Sequence, residues 1–149
     1  MTEVLGSNAI LAPVVALVAW SLLMLIWLYA ARIPALRKAD SDAVTRAAHG
    51  GHGLSGIVPD RAEWPAHNYN HLMEQPTLFY AIAISLALLG AGGGINLMLA
   101  WAYVVLRILH SLIQATANIL GLRFLMFVLS SLCLIALTFH AILVLMHAV

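Results

Sequence analysis

Four long apolar runs, at about 8–31, 68–90, 95–117 and 123–147, leave this chain few ways to fold in water. Each approaches or exceeds the roughly 20 residues that an α-helix needs to cross a bilayer. The expected architecture is an all-α membrane protein, a single domain over 1–149 in which four transmembrane helices form one bundle. Hydrophobic residues make up 63% of the chain and charged ones 9%, against roughly 45–50% and 25% in a soluble domain. A net charge of +1 spread over scattered Lys and Arg offers no basic patch, which speaks against nucleic-acid binding. The one cysteine, Cys133, lies in an apolar run, so neither an intrachain disulfide nor a Cys-based metal motif is available.

The first run does not read as a secretory signal. No Lys or Arg precedes it, and Arg32, Arg37 and Lys38 follow as a stop-transfer flank. The polar loop at about 32–66 also carries Arg46 and Arg61, whereas the Gly-rich turn from Gly90 to Gly94 has no basic residue. By the positive-inside rule the long loop faces the cytoplasm, with both termini outside. Within it, His49-Gly50-Gly51-His52-Gly53 reads as a solvated loop rather than a metal site, since no acidic or Cys neighbour joins the two imidazoles. Trp64 and Pro65 mark an interfacial anchor and the entry to the second helix.

Chemistry concentrates where polar side chains enter the apolar runs. At roughly 100° per residue, His67, Asn70, His71, Glu74 and Thr77 fall on one side of the second helix. A carboxylate near membrane depth needs a cation, and Arg107 is the one on offer, so a Glu74–Arg107 pair is expected. Pro76 removes the hydrogen bond to the Leu72 carbonyl, which predicts a kink beside Glu74. On the third helix, Arg107, His110, Ser111, Gln114 and Asn118 share one narrow face while the others are hydrocarbon. About ten Leu, Ile and Val favour insertion of this span by roughly 0.3–0.6 kcal/mol each, and a central Arg opposes it by roughly 2.5–3.5. A helix that only had to span would not carry that Arg, so the stripe is expected to face a partner stripe. Arg123 opens the fourth helix, where the dipole favours an anion, and so calls for an acidic partner or an anionic ligand. Two plainer readings stand beside this one: an interhelical network that only holds the bundle together, and a metal site from His67, His71 and Glu74, which lacks a second carboxylate within the spans.

The stretch Asn68-Tyr69-Asn70-His71-Leu72-Met73-Glu74-Gln75-Pro76-Thr77-Leu78-Phe79-Tyr80, followed by Arg107-Ile108-Leu109-His110-Ser111 and then by Asn118 with Gly121-Leu122-Arg123-Phe124, resembles the MAPEG family. These are the membrane-associated proteins of eicosanoid and glutathione metabolism. The resemblance is to a bacterial-type member and covers the last three spans. It implies a homotrimer of four-helix bundles in a bacterial inner membrane, with glutathione as co-substrate between neighbouring protomers near the cytoplasmic face. It also implies a transferase or peroxidase acting on lipophilic electrophiles that arrive from the bilayer. Carried over by position, Glu74 and Arg107 would help bind glutathione, with Asn70, His71, His110 and Gln114 around them, and Arg123 would activate the thiol. Such a role suits arginine, which stays charged when buried and stabilises a thiolate. Gln114 stands where glutathione-using members often have Tyr, and His71 where Asn is usual. The stretch Arg61 to His67 lacks the closely spaced arginines of the characterised enzymes. A non-catalytic structural or lipid-binding protein on the same scaffold is the alternative.

Overall fold

The computed structural model describes residues 8–50 and 54–148. A short 3-10 turn, Asn8–Ile10, leads into α1 (Leu11–Lys38), followed by α2 (Ser41–His49), α3 (Asp60–Leu72), α4 (Gln75–Leu88), α5 (Gly94–Thr116) and α6 (Leu120–Ala148). Gly51, His52 and Gly53 of the His-Gly motif lie outside the described residues. The stretches Asn8–Lys38, Gly94–Thr116 and Leu120–His147 are each long and apolar enough to cross a membrane, and the protein is an all-α integral membrane bundle.

The second apolar run is divided between the end of α3 and α4, where one kinked helix was expected. Pro76 has no N–H to give the Leu72 carbonyl, and the ladder around it changes type. Met73 N–H bonds the Asn70 carbonyl at 2.9 Å, Glu74 N–H the His71 carbonyl at 3.4 Å and Thr77 N–H the Glu74 carbonyl at 3.3 Å. Glu74 leaves helical geometry altogether (φ −89°, ψ −95°), and Pro76 falls in the first turn of α4, where a missing N–H costs nothing. At its other end α4 stops in a Schellman motif: Gly90, at φ 73°, bonds back to Ala87, and Ala91 to Leu86.

The bundle buries a hydrophobic core with a minority of polar groups set into it, and its outer faces are hydrocarbon. On α1 the buried positions Leu17, Ser21, Met24 and Leu28 recur every three or four residues, and on α5 Asn96, Tyr103, Arg107, His110, Ser111 and Gln114 do the same. The outward face of α5 carries Ile95, Met98, Val105 and Leu109. Lipid tails are as apolar as Leu, so helix association inside a membrane depends on close packing and hydrogen bonds between helices. Phe79 of α4 stacks on Tyr103 of α5 with ring centroids 4.4 Å apart. Gln75 Nε2 donates to Ser131 Oγ at 2.7 Å, tying α4 to α6. His140 of α6 meets Asn96 of α5 at 2.7 Å. With α5 packed along α6, and α1 with α3 against α5, these contacts bring the α3–α4 break to the polar face of α5.

Candidate functional site

At that break the expected Glu74–Arg107 ion pair does not form. Arg107 is 1% exposed, while the Glu74 side chain is 69% exposed, because the turn at Met73–Glu74 swings the carboxylate away from the bundle. His71 stands between them. Its Nδ1 lies 3.0 Å from Glu74 Oε2, and its Nε2 lies 3.5 Å from Arg107 Nη1. A guanidinium has donors and no acceptor, so Nε2 accepts from Arg107, and the ring proton sits on Nδ1 and is donated to Glu74. The imidazole thus couples an exposed carboxylate to a buried cation.

Arg107 is otherwise short of partners. Its Nε and Nη2 have none among the described residues, and the guanidinium carbon lies 5.8 Å from the Tyr103 ring centre and 5.7 Å from that of Phe127. His71 lies against His110, with ring centroids 4.9 Å apart, and against Phe127 at 5.5 Å. His110 Nδ1 donates to the Arg123 backbone carbonyl at 2.9 Å, and its Nε2 meets the Gln114 side-chain amide at 3.1 Å. The third-helix stripe therefore pins the first turn of α6. Arg123 Nη1 donates to Asn118 Oδ1 at 2.6 Å, and its Nε has no partner among the described residues. Asn118 sits beyond the end of α5 at φ 51°, a left-handed conformation that Asn tolerates better than most residues.

His71, Glu74, Arg107, His110, Gln114 and Arg123 thus form one connected group. Asn70 does not join it. The residue is exposed, and its carbonyl serves only to cap α3 through Met73. His67 is also turned outward, 61% exposed, and among the described residues no three His, Cys, Asp or Glu side chains converge as metal ligands would. Two members of this neighbourhood were not singled out from the sequence: Tyr103 and Phe127. Asn68 is fully buried, and neither of its amide atoms has a partner among the described residues. It is an amide on the buried face of α3, with Ala62, Glu63, Pro65, Ala66 and Leu72, and stands out there by its polarity. Phe127 has no such mark in an apolar helix.

The connected group borders a cavity of about 180 Å3, lined by His71, His110, Leu120, Arg123, Phe124 and Phe127. A larger groove of about 620 Å3 runs between α4 and α6 past Leu78, Ile82, Leu134 and Phe139. Its hydroxyls, Ser85 and Thr138, already bond carbonyls of their own helices, so it offers shape without chemistry. The MAPEG family's sequence profile matches residues 10–143, nearly the whole chain. The chain belongs to the MAPEG family. No curated protein and no solved structure matches it. In this MAPEG protein the Glu of the second run, the Arg of the third and the Arg opening the fourth are all present, but His71 separates the first two.

Proposed function

We propose that this protein is a glutathione-dependent transferase or peroxidase acting on lipophilic electrophiles. The observation that supports it most is Arg107, a cation buried to 1% exposure whose Nε and Nη2 lack partners. A buried charge is stable only when paired and hydrogen-bonded, and a carboxylate of the tripeptide supplies both. His71 holds Nη1; Arg107 does not line the adjoining cavity, so the ligand carboxylate meets Nε and Nη2 once the side chains covering them, His71 and Phe127 among them, move aside. Arg123, with Nη1 anchored on Asn118, offers its charge to a sulfur in the adjoining cavity. There a guanidinium in a water-poor setting favours the thiolate over the thiol. The thiol proton passes to water as glutathione binds; the thiolate sulfur then bonds to the electrophilic carbon, and the leaving group departs with its electron pair.

The cavity is smaller than the roughly 300 Å3 at which ligand pockets begin, so it takes the thiol end of glutathione only. The remainder would lie in a crevice shared with a neighbouring copy, which fits a homotrimer with the 32–66 segment, expected as a loop but mostly helical in α1, α2 and α3, on the cytoplasmic side of a bacterial inner membrane. One observation favours a second reading, a structural or lipid-binding protein on this scaffold: His110 spends its N–H on the backbone of α6, a bond that holds helices together. Calorimetric titration with reduced glutathione, with a chromogenic electrophile assay alongside, separates the two. Wild type should bind and conjugate, and Arg123→Leu should keep its oligomeric size and bind while losing conjugation. Normal conjugation by Arg123→Leu, or no binding by wild type up to millimolar glutathione, overturns the proposal.

A further inference from the structure

A second cavity, about 170 Å3 in volume, is walled by Ser55, Asp60, Glu63, Trp64, His67 and Asn118. Of its walls only Asn118, the anchor of Arg123, enters the chemistry proposed above. Its decisive member is Glu63, which lies in the early turns of α3 and is 4% exposed. Among the described residues its nearest group able to carry positive charge is His67 Nε2 at 4.0 Å, beyond hydrogen-bond length, on a side chain that is mostly in solvent. A carboxylate so largely withdrawn from water gains from a cation that meets it in the cavity.

The walls select the kind of cation. A hard metal ion wants six or more oxygens at about 2.3–2.6 Å, whereas no three acidic, His or Cys side chains converge among the described residues, and the space is far wider than an ion. Asn118 Oδ1 is engaged by Arg123, which leaves the carboxylates of Glu63 and Asp60 and the Ser55 hydroxyl as acceptors. The Trp64 indole adds a π surface, which attracts organic cations. A volume of about 170 Å3 admits a group of a few heavy atoms. We propose that this cavity binds a small organic ammonium group, with Glu63 as its counter-ion and Trp64 as its aromatic wall. The ammonium can belong to a lipid headgroup or to a free amine. The inference does not depend on glutathione use.

The full chain in detergent would be titrated calorimetrically with ethanolamine, and with ethylene glycol as its uncharged counterpart. Wild type should bind ethanolamine saturably and ignore the glycol, and Glu63→Gln at unchanged oligomeric size should weaken binding by about ten- to a hundredfold. Should Glu63→Gln fail to assemble, Trp64→Leu takes its place, with binding expected to weaken several-fold. No saturable binding by wild type, or unchanged affinity in the variant, overturns the proposal. Repeating the titration in nanodiscs distinguishes the sources. Competition that appears with phosphatidylethanolamine and not with phosphatidylglycerol assigns the lipid headgroup, and equal binding in both assigns the free amine.

Discussion

Arg107 kept for an anion, rather than for the bundle, should be dispensable to the free protein. Its two unpartnered nitrogens, Nε and Nη2, each cost about 1–3 kcal/mol of unrecovered hydration. Opposing this, the 3.5 Å contact to His71 is at the long limit of a hydrogen bond and returns about 0.5–1 kcal/mol. The Tyr103 and Phe127 rings, at 5.8 and 5.7 Å, return about 0.5–2 kcal/mol each. These terms nearly cancel. Methionine keeps the unbranched hydrocarbon stem and adapts to the space the guanidinium leaves. Arg107→Met should therefore unfold within about 1–2 kcal/mol of wild type in either direction, as replacement of buried charges by apolar groups commonly does. The same substitution should weaken glutathione binding at least about tenfold, the loss of one charge-assisted contact. Equilibrium unfolding in mixed micelles, followed by circular dichroism, measures the first quantity and calorimetry the second, on preparations of matched oligomeric size. A stability loss of about 3–5 kcal/mol, the mark of a broken buried ion pair, would refute the ligand reading in favour of the structural one. Unchanged glutathione affinity would refute it as well.

Glu74→Gln should shift stability by less than about 1 kcal/mol, because its pair with His71 lies on a carboxylate that is 69% exposed; unfolding in the same micelles checks this. Asn118→Gly should preserve the left-handed turn at φ 51° and yet lower conjugation by removing the acceptor of Arg123, whereas Asn118→Ala should also lose about 1–2 kcal/mol of stability to backbone strain. A double-mutant cycle of Gln75→Ala and Ser131→Ala should show a coupling of about 0.6–1.7 kcal/mol across the α4–α6 bond, and a coupling near zero would mean the bond does not hold the two helices. Pro76→Ala restores an N–H able to reach the Leu72 carbonyl, so hydrogen exchange at residues 72–77 should slow; unchanged exchange would show that something other than proline breaks the helix.

That last substitution bears on how far the site was legible before the structure. Along α5, Arg107, His110, Ser111 and Gln114 are buried together, as their offsets of three and four require, because the helix that carries them is unbroken; Asn118, expected on the same face, lies beyond the helix end at φ 51°. The same arithmetic along the second run failed at one residue. Glu74, at ψ −95°, rotates everything after it relative to everything before, so Thr77 no longer continues the stripe of α3; His71 and Glu74 still meet at 3.0 Å, and Asn70, inside α3, lies at the surface. Proline announces the loss of one hydrogen bond. Whether the chain then bends or breaks depends on what holds the far side, and here that includes a Gln75 bond to Ser131, 56 residues away, which no local pattern contains. The break also gives His71 its position. A carboxylate turned toward solvent cannot neutralise a guanidinium inside the bundle, and an imidazole with one donor and one acceptor is suited to connect the two. Its Nε2 accepts a hydrogen bond from Arg107 Nη1 and its Nδ1 donates one to Glu74 Oε2. An amide at position 71 could also donate and accept, but it is shorter than an imidazole. His71→Asn should therefore leave Arg107 and Glu74 uncoupled, so that Glu74→Gln, which should weaken glutathione binding in wild type, has no further effect in the His71→Asn background. Additive effects of the two substitutions on that affinity would show that the carboxylate reaches the site by another route.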